Sequence, residues 1–152
     1  YGDWSSDVCS SDLIGHTIIF QDGRPCGCGR KGCLEQYCSA IGIVKTYLEL
    51  FRKQSAITKE VESVTAKTIF NLALQGDIVA LKSFESTGDI LGFALANSVA
   101  YTSPKAIFLF GGLAEAGKFI FEPVTESFEK NLLAIYKNRI KIKNKYLRFC
   151  FH

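Results

Sequence analysis

Gly15-His16, and shortly after it Cys26-Gly27-Cys28-Gly29-Arg30-Lys31-Gly32-Cys33-Leu34-Glu35, is the stretch from which the rest of the chain is best read. Three thiols and one imidazole this close in sequence match a tetrahedral Cys₃His site, and zinc suits such soft and borderline donors. Gly27, Gly29 and Gly32 are expected to let the backbone curl until the thiolates converge on one ion. Three thiolates around Zn²⁺ leave a net negative charge, which Arg24, Arg30 and Lys31 in the same loop can offset. His16, Cys26, Cys28 and Cys33 leave no open position, so the expected zinc is structural. The alternative is a reduced cluster that binds no metal. Cys38, on the helix expected after the loop, reads as a small buried hydrophobe.

Outward from this loop the composition is that of a packed protein. The chain has 152 residues, 47% hydrophobic and 22% charged, and a formal net charge of +3. This is enough apolar content for a core and too mild a charge to imply nucleic acid. Clustered cysteines argue against a secreted disulfide scaffold. No apolar run approaches the length of a membrane span, and the acidic start lacks the pattern of a signal peptide. The chain contains no methionine and begins at Tyr1, which leads to the expectation of a fragment. Asp3 to Leu13 (DWSSDVCSSDL) has no secondary-structure period. It matches a sequencing adapter translated in frame, so residues 1–13 are expected to be non-native and native sequence to begin near Ile14.

Thr17 to Phe20 reads as a strand turning at Asp22-Gly23, and the loop follows to Cys33. Leu34 to Phe51 carries apolar residues three or four apart, the period of a helix. A charged linker over 53–63 leads to a helix from Thr65 to Leu74, then one opened by Asp77. Another is expected from Gly88 to about Tyr101, where Gly92, Ala94, Ala96 and Ala100 imply close packing. Pro104 stops it, and Ala106 to Phe110 reads as a strand buried on both faces. Glu122 to Tyr136 is the last expected helix, with Pro123 in its first turn. Arg139 to Lys145 alternates Ile with Lys, a strand with one solvated face. This order points to an α/β fold.

Two further features bear on chemistry. Glu35 lies just past the last proposed ligand; on spacing alone it reads as a carboxylate favoured by a helix N-terminus. The sharper alternative is a polar group held by the loop and aimed into a cleft. Gly111-Gly112 after the expected strand permits close approach of a nucleotide phosphate or ribose, and a tight strand-to-helix turn explains it equally well.

Taken in order, Gly15-His16, the Cys26-to-Glu35 segment, and Ser103-Pro104 leading to Phe110-Gly111-Gly112 resemble the ROK family of bacterial sugar kinases and sugar-responsive repressors. The resemblance implies an actin-like ATPase (ribonuclease H-like) fold with an inserted zinc loop, of which residues 14–145 would be part of the carboxy-terminal lobe. It implies that His16 and Glu35 bind the sugar, His16 also serving as a zinc ligand, and that Gly111 and Gly112 contact ATP. The intact parent would be a cytoplasmic homodimer transferring the γ-phosphoryl of Mg²⁺-ATP to a hexose, glucose first. Nucleic acid would enter only if the parent were a repressor.

The departures from the family pattern are specific. Leu13 stands where the family carries a sugar-contacting glutamate, at the adapter junction. The Asp-x-Gly-x-Thr phosphate loop and the Asn-Asp pair that supplies the catalytic base have no counterpart among these residues. The tail over 146–152 (YLRFCFH, with Cys150) lacks the family's closing glycine and alanine-rich helix. No catalytic residue is therefore expected here, and the chain alone is expected to be inactive. The rivals are the sugar-sensing lobe of a ROK repressor and a free-standing zinc-binding interaction module.

Overall fold

The computed structural model describes residues 13–54 and 64–144. They form α1 (Ala40–Gln54), α2 (Ala66–Leu74), α3 (Ile78–Thr102), β1 (Ala106–Leu109), α4 (Lys118–Asn131) and β2 (Lys141–Asn144), with 3₁₀ turns at Leu34–Gln36, Ala114–Ala116 and Ala134–Tyr136. Of the expected non-native stretch over 1–13 only Leu13 is described; of the expected linker over 53–63 only Lys53 and Gln54 are, and they close α1. Lys145 and the doubtful tail over 146–152, with Cys150, lie outside the described residues.

The expected α/β order is present, with α3 as the central element. Asp77 caps it, its Oδ1 accepting from the Ala80 amide at 2.7 Å, which meets one of the donors a helix start leaves open. The helix expected to begin anew at Gly88 is instead the second half of α3. Gly88 is a contact and does not interrupt the helix: a Cβ there would lie 2.6 Å from Pro123 Cγ, and one at Gly92 would lie 2.5 Å from the Val124 carbonyl oxygen. The small residues thus let α3 and α4 approach backbone to backbone. Gly92, Ala94 and Ala96 are buried as expected, whereas Ala100 is exposed. Ile43, Ile69, Val99, Ile120, Val124 and Phe128 are almost fully enclosed in the shared core, each worth about 1.5–3 kcal/mol of apolar burial.

Several expected boundaries move, for identifiable reasons. The helix predicted from Leu34 to Phe51 breaks around Ser39, whose Oγ accepts from the Gly42 amide at 3.0 Å and starts α1. Thr17 to Phe20 forms no ladder among the described residues. It makes one antiparallel bridge, Ile18 to Cys33, because its partner is the curled loop. α4 begins at Lys118 after a Gly117 with φ 57° and ends where buried Leu132 turns extended, so the predicted Glu122–Tyr136 span is too late at both ends. Pro123 sits inside α4, not in its first turn, its ring against Gly88. β1 pairs in parallel with β2, Ala106 opposite Lys141 through Leu109 opposite Asn144. β1 is not buried on both faces: Phe108 is 53% exposed. The predicted solvated face of β2 is present, with Lys141 and Lys143 exposed and Ile142 half-buried.

Candidate metal centre and the clefts beside it

The loop is built by a few backbone hydrogen bonds and two glycines. The Cys26 amide donates to the Arg30 carbonyl at 2.9 Å and the Gly29 amide to the Cys26 carbonyl at 3.0 Å, folding Cys26 to Arg30 into a knuckle. Gly29 (φ 84°) and Gly32 (φ 72°) occupy left-handed backbone that other residues resist. Gly27 does not, so only two of the three glycines credited with the curl supply it. The Leu34 amide donates to the Thr17 carbonyl at 2.9 Å and the Glu35 amide to the Gly15 carbonyl at 2.8 Å. These two bonds lay His16 alongside Cys33 and Glu35.

As a result His16, Cys26, Cys28 and Cys33 each bring one ligand atom to within 4.8 Å of all the others. Cys28 Sγ lies 3.6 Å from Cys33 Sγ, and Cys26 Sγ lies 3.6 Å from His16 Nδ1. A tetrahedral ion with zinc-like bond lengths would need S···S edges of about 3.8 Å and N···S edges of about 3.6 Å. The donor set and these edges fit such an ion.

The thiols are in unlike electrostatic settings. The Arg30 side chain hydrogen-bonded to Cys28 pulls that thiol down to about 6, which favours its thiolate form. Cys26 donates to Glu35 Oε1 at 2.9 Å, which pushes it up to about 12 and holds the Glu35 carboxyl below its usual range. A metal would have to take that proton's place, because the ligand is the thiolate. Of the three cations expected to balance the thiolates, Arg30 acts on them directly. Arg24 is committed elsewhere, to Glu49.

Glu35 is 38% exposed and His16 31% exposed, with Nδ1 and Oε1 3.7 Å apart. Both line a cleft of about 440 Å³ that also takes in Cys38, Ser39, Leu91, Leu109 and Phe110. Gln36 Nε2 donates to Glu35 Oε1 at 3.1 Å, and Lys45 Nζ donates to Gln36 Oε1 at 2.7 Å, so Glu35 is oriented from α1. Cys38, read from the sequence as a small buried hydrophobe, is instead half-buried at the cleft, with Sγ donating to the Thr87 carbonyl at 3.5 Å; burial pushes it up to about 12.

Gly111 and Gly112 are not part of this cluster. Gly111 (φ 97°) makes the turn after β1, and Gly112 lines a second cleft of about 420 Å³ with Phe70, Phe84, Leu113 and Glu115. Leu113 lines both clefts. Among the described residues, nothing lies within 4 Å of where a Gly112 Cβ would stand. Sequence reasoning read Arg24 only as a counter-charge and missed Gln36 and Lys45; the partners of all three are set by the fold and carry no spacing signal.

Residues 11–147 match the family described as the ROK family. The chain is 36% identical over 122 residues to a glucokinase of Halalkalibacterium halodurans, spanning 76% of this chain and 37% of that protein. It is 28% identical over 132 residues to the DNA-binding transcriptional repressor Mlc of Escherichia coli, spanning 86% of this chain and 32% of the repressor. Among solved structures, the ROK family glucokinase from Streptomyces griseus, in complex with glucose and AMPPNP, superposes with a TM-score of 0.75 at 28% identity, over 86% of this chain and 45% of that one. The chain thus spans less than half the length of these relatives.

Proposed function

Because the chain belongs to the ROK family, we propose that it supplies the hexose shelf and part of the nucleotide pocket of an ATP-dependent hexose kinase, with glucose first among its substrates. One observation carries this reading: the cleft holding His16 and Glu35 and the cleft holding Gly112 adjoin at Leu113. A sugar in the first and a nucleotide in the second would be neighbours. The glucokinase relatives, and the glucose and AMPPNP bound in the Streptomyces griseus enzyme, support the pairing.

In this reading His16, Cys26, Cys28 and Cys33 hold a structural zinc, which fixes the loop that carries the shelf. The ionised Glu35 accepts hydrogen bonds from sugar hydroxyls, and the His16 ring presents its other nitrogen to the same face. Gly111 and Gly112 let the nucleotide approach the backbone after β1. The hydroxyl is then aligned for in-line transfer of the γ-phosphoryl of Mg²⁺-ATP, an effect of positioning. The base that takes the hydroxyl proton belongs to the other lobe, so residues 14–145 act as one lobe of two and do not phosphorylate sugar alone. The intact parent is a cytoplasmic homodimer. The second reading, favoured by the likeness to Mlc, is the sugar-sensing lobe of a repressor; a free-standing zinc module is the third.

The deciding experiment is a coupled assay on the full-length protein with ATP and glucose. Glu35→Gln weakens a charge-assisted hydrogen bond, worth about 1.5–3 kcal/mol, and should lower kcat/KM for glucose by roughly 10- to 100-fold. Gly112→Ala should raise KM for ATP and leave that for glucose in place. Full-length protein that phosphorylates no hexose, yet leaves DNA when sugar binds, would replace the kinase reading with the repressor. Phosphorylation by the 152-residue chain alone would overturn the assignment of the base to another lobe.

A further inference from the structure

Arg24 is an unusual residue for a surface loop. Its side chain is 12% exposed, and all five of its guanidinium hydrogens have acceptors. Nε reaches Glu49 Oε1 at 2.9 Å, and Nη2 reaches Glu49 Oε2 at 2.8 Å and Thr46 Oγ1 at 3.0 Å. Nη1 reaches the Gln36 carbonyl at 2.6 Å and the Gly42 carbonyl at 3.2 Å. The guanidinium also lies 4.5 Å above the Tyr37 ring. Its backbone is engaged too: the Arg24 amide donates to Tyr37 Oη at 2.9 Å, and the Gly32 amide donates to the Arg24 carbonyl at 2.8 Å.

These contacts sit between the two halves of the site. Cys26 is two residues past Arg24, Cys33 is next to Gly32, and Glu35 is next to Gln36. One residue therefore pins the backbone that leads into the knuckle, two residues before Cys26, to the 3₁₀ turn carrying Glu35 and to α1. A lysine could supply the charge but not the planar fork that reaches a carboxylate and two carbonyls together.

We propose that Arg24 is the positioning residue that holds the metal knuckle and the Glu35 turn as one rigid unit, and so sets how tightly the knuckle keeps its metal. The inference rests on the zinc reading above. Groups that orient metal ligands from outside commonly change affinity 10- to 100-fold when removed.

The test uses the full chain loaded with zinc alone and a colorimetric chelator. Wild type should hold one zinc per chain. Arg24→Lys should release it at least about 10-fold faster, with the thermal midpoint of the helical core close to wild type. Glu49→Gln keeps Arg24 and its carbonyl contacts, so it should shift release in the same direction by less; it also serves if Arg24→Lys does not fold. Cobalt(II) in place of zinc gives a second readout. Its tetrahedral thiolate absorption should survive in the variants while the titration midpoint moves to higher free cobalt. Release rates and midpoints unchanged in a zinc-holding protein would overturn the role of Arg24 alone. No zinc in wild type would overturn the metal reading and this inference with it.

Discussion

Gly32→Ala is the sharpest perturbation of the metal loop. Gly32 has φ 72°, and left-handed backbone costs an ordinary residue about 1–2 kcal/mol. Its new Cβ would fall on the Phe20 carbonyl oxygen and 2.6 Å from that carbonyl carbon, so the two segments must separate. Separation endangers the bonds from Ile19 N to Gly32 O and from Gly32 N to Arg24 O, both 2.8 Å, each worth about 0.5–1.5 kcal/mol. The sum is roughly 2–5 kcal/mol against the metal-ready loop, or roughly 30-fold to a few thousand-fold in zinc affinity. Gly27→Ala is the control. It lies between two of the proposed ligands in the same knuckle, but no described residue stands within 4 Å of its Cβ and its φ is ordinary. It should move zinc affinity by less than about threefold, the range of a neutral surface change. Chelator competition on both variants measures the difference. Zinc held by Gly32→Ala within threefold of wild type, or lost equally by Gly27→Ala, would refute the reasoning.

Two further outcomes are expected. In the metal-stripped chain, iodoacetamide should modify Cys28 at half its limiting rate near the value of about 6 set by Arg30, well before Cys26 and Cys38, both held up to about 12, Cys26 by its bond to Glu35 and Cys38 by burial. The sign follows from the depressed value: the thiolate–Arg30 contact is present above the ordinary thiol value of 9.0 and is lost as pH falls through about 6; peptide mapping of the alkylated chain over a pH series checks the order. Gly92→Ala gains up to about 1 kcal/mol of helix propensity but drives a methyl onto α4, and overpacking of about 1–3 kcal/mol or more should win. The midpoint of thermal unfolding, followed by circular dichroism, should fall by several degrees, and a rise would show that the two helices part easily.

The metal cluster was legible because its donors are neighbours in sequence, with one imidazole close upstream. The helical order was legible for the same local reason, through Asp77, Pro104 and the apolar periods. What escaped depends on contacts that spacing does not encode. Arg24 meets Glu49 only because the loop folds back on α1. Gly88 and Pro123, read as local punctuation, are two halves of one helix contact. The break near Ser39 was hidden because Leu34, Tyr37, Ile41 and Val44 keep the period across it. The exposure of Phe108 is set by what covers the sheet and not by the residues of the strand.

His16 stands outside the knuckle, on a segment tied to the cysteine loop by a handful of hydrogen bonds, among them those to the Gly15, His16 and Thr17 carbonyls. An ion joining it to Cys33 would act on the folded chain alone, because the four donors come together only when the loop is formed. It would be a staple held by mass action: each tenfold rise in free metal above its dissociation constant would add about 1.4 kcal/mol to the folded segment. A chelator, or acid that protonates the thiols, would withdraw it, so the resistance of this segment to unfolding would follow the metal supply around it.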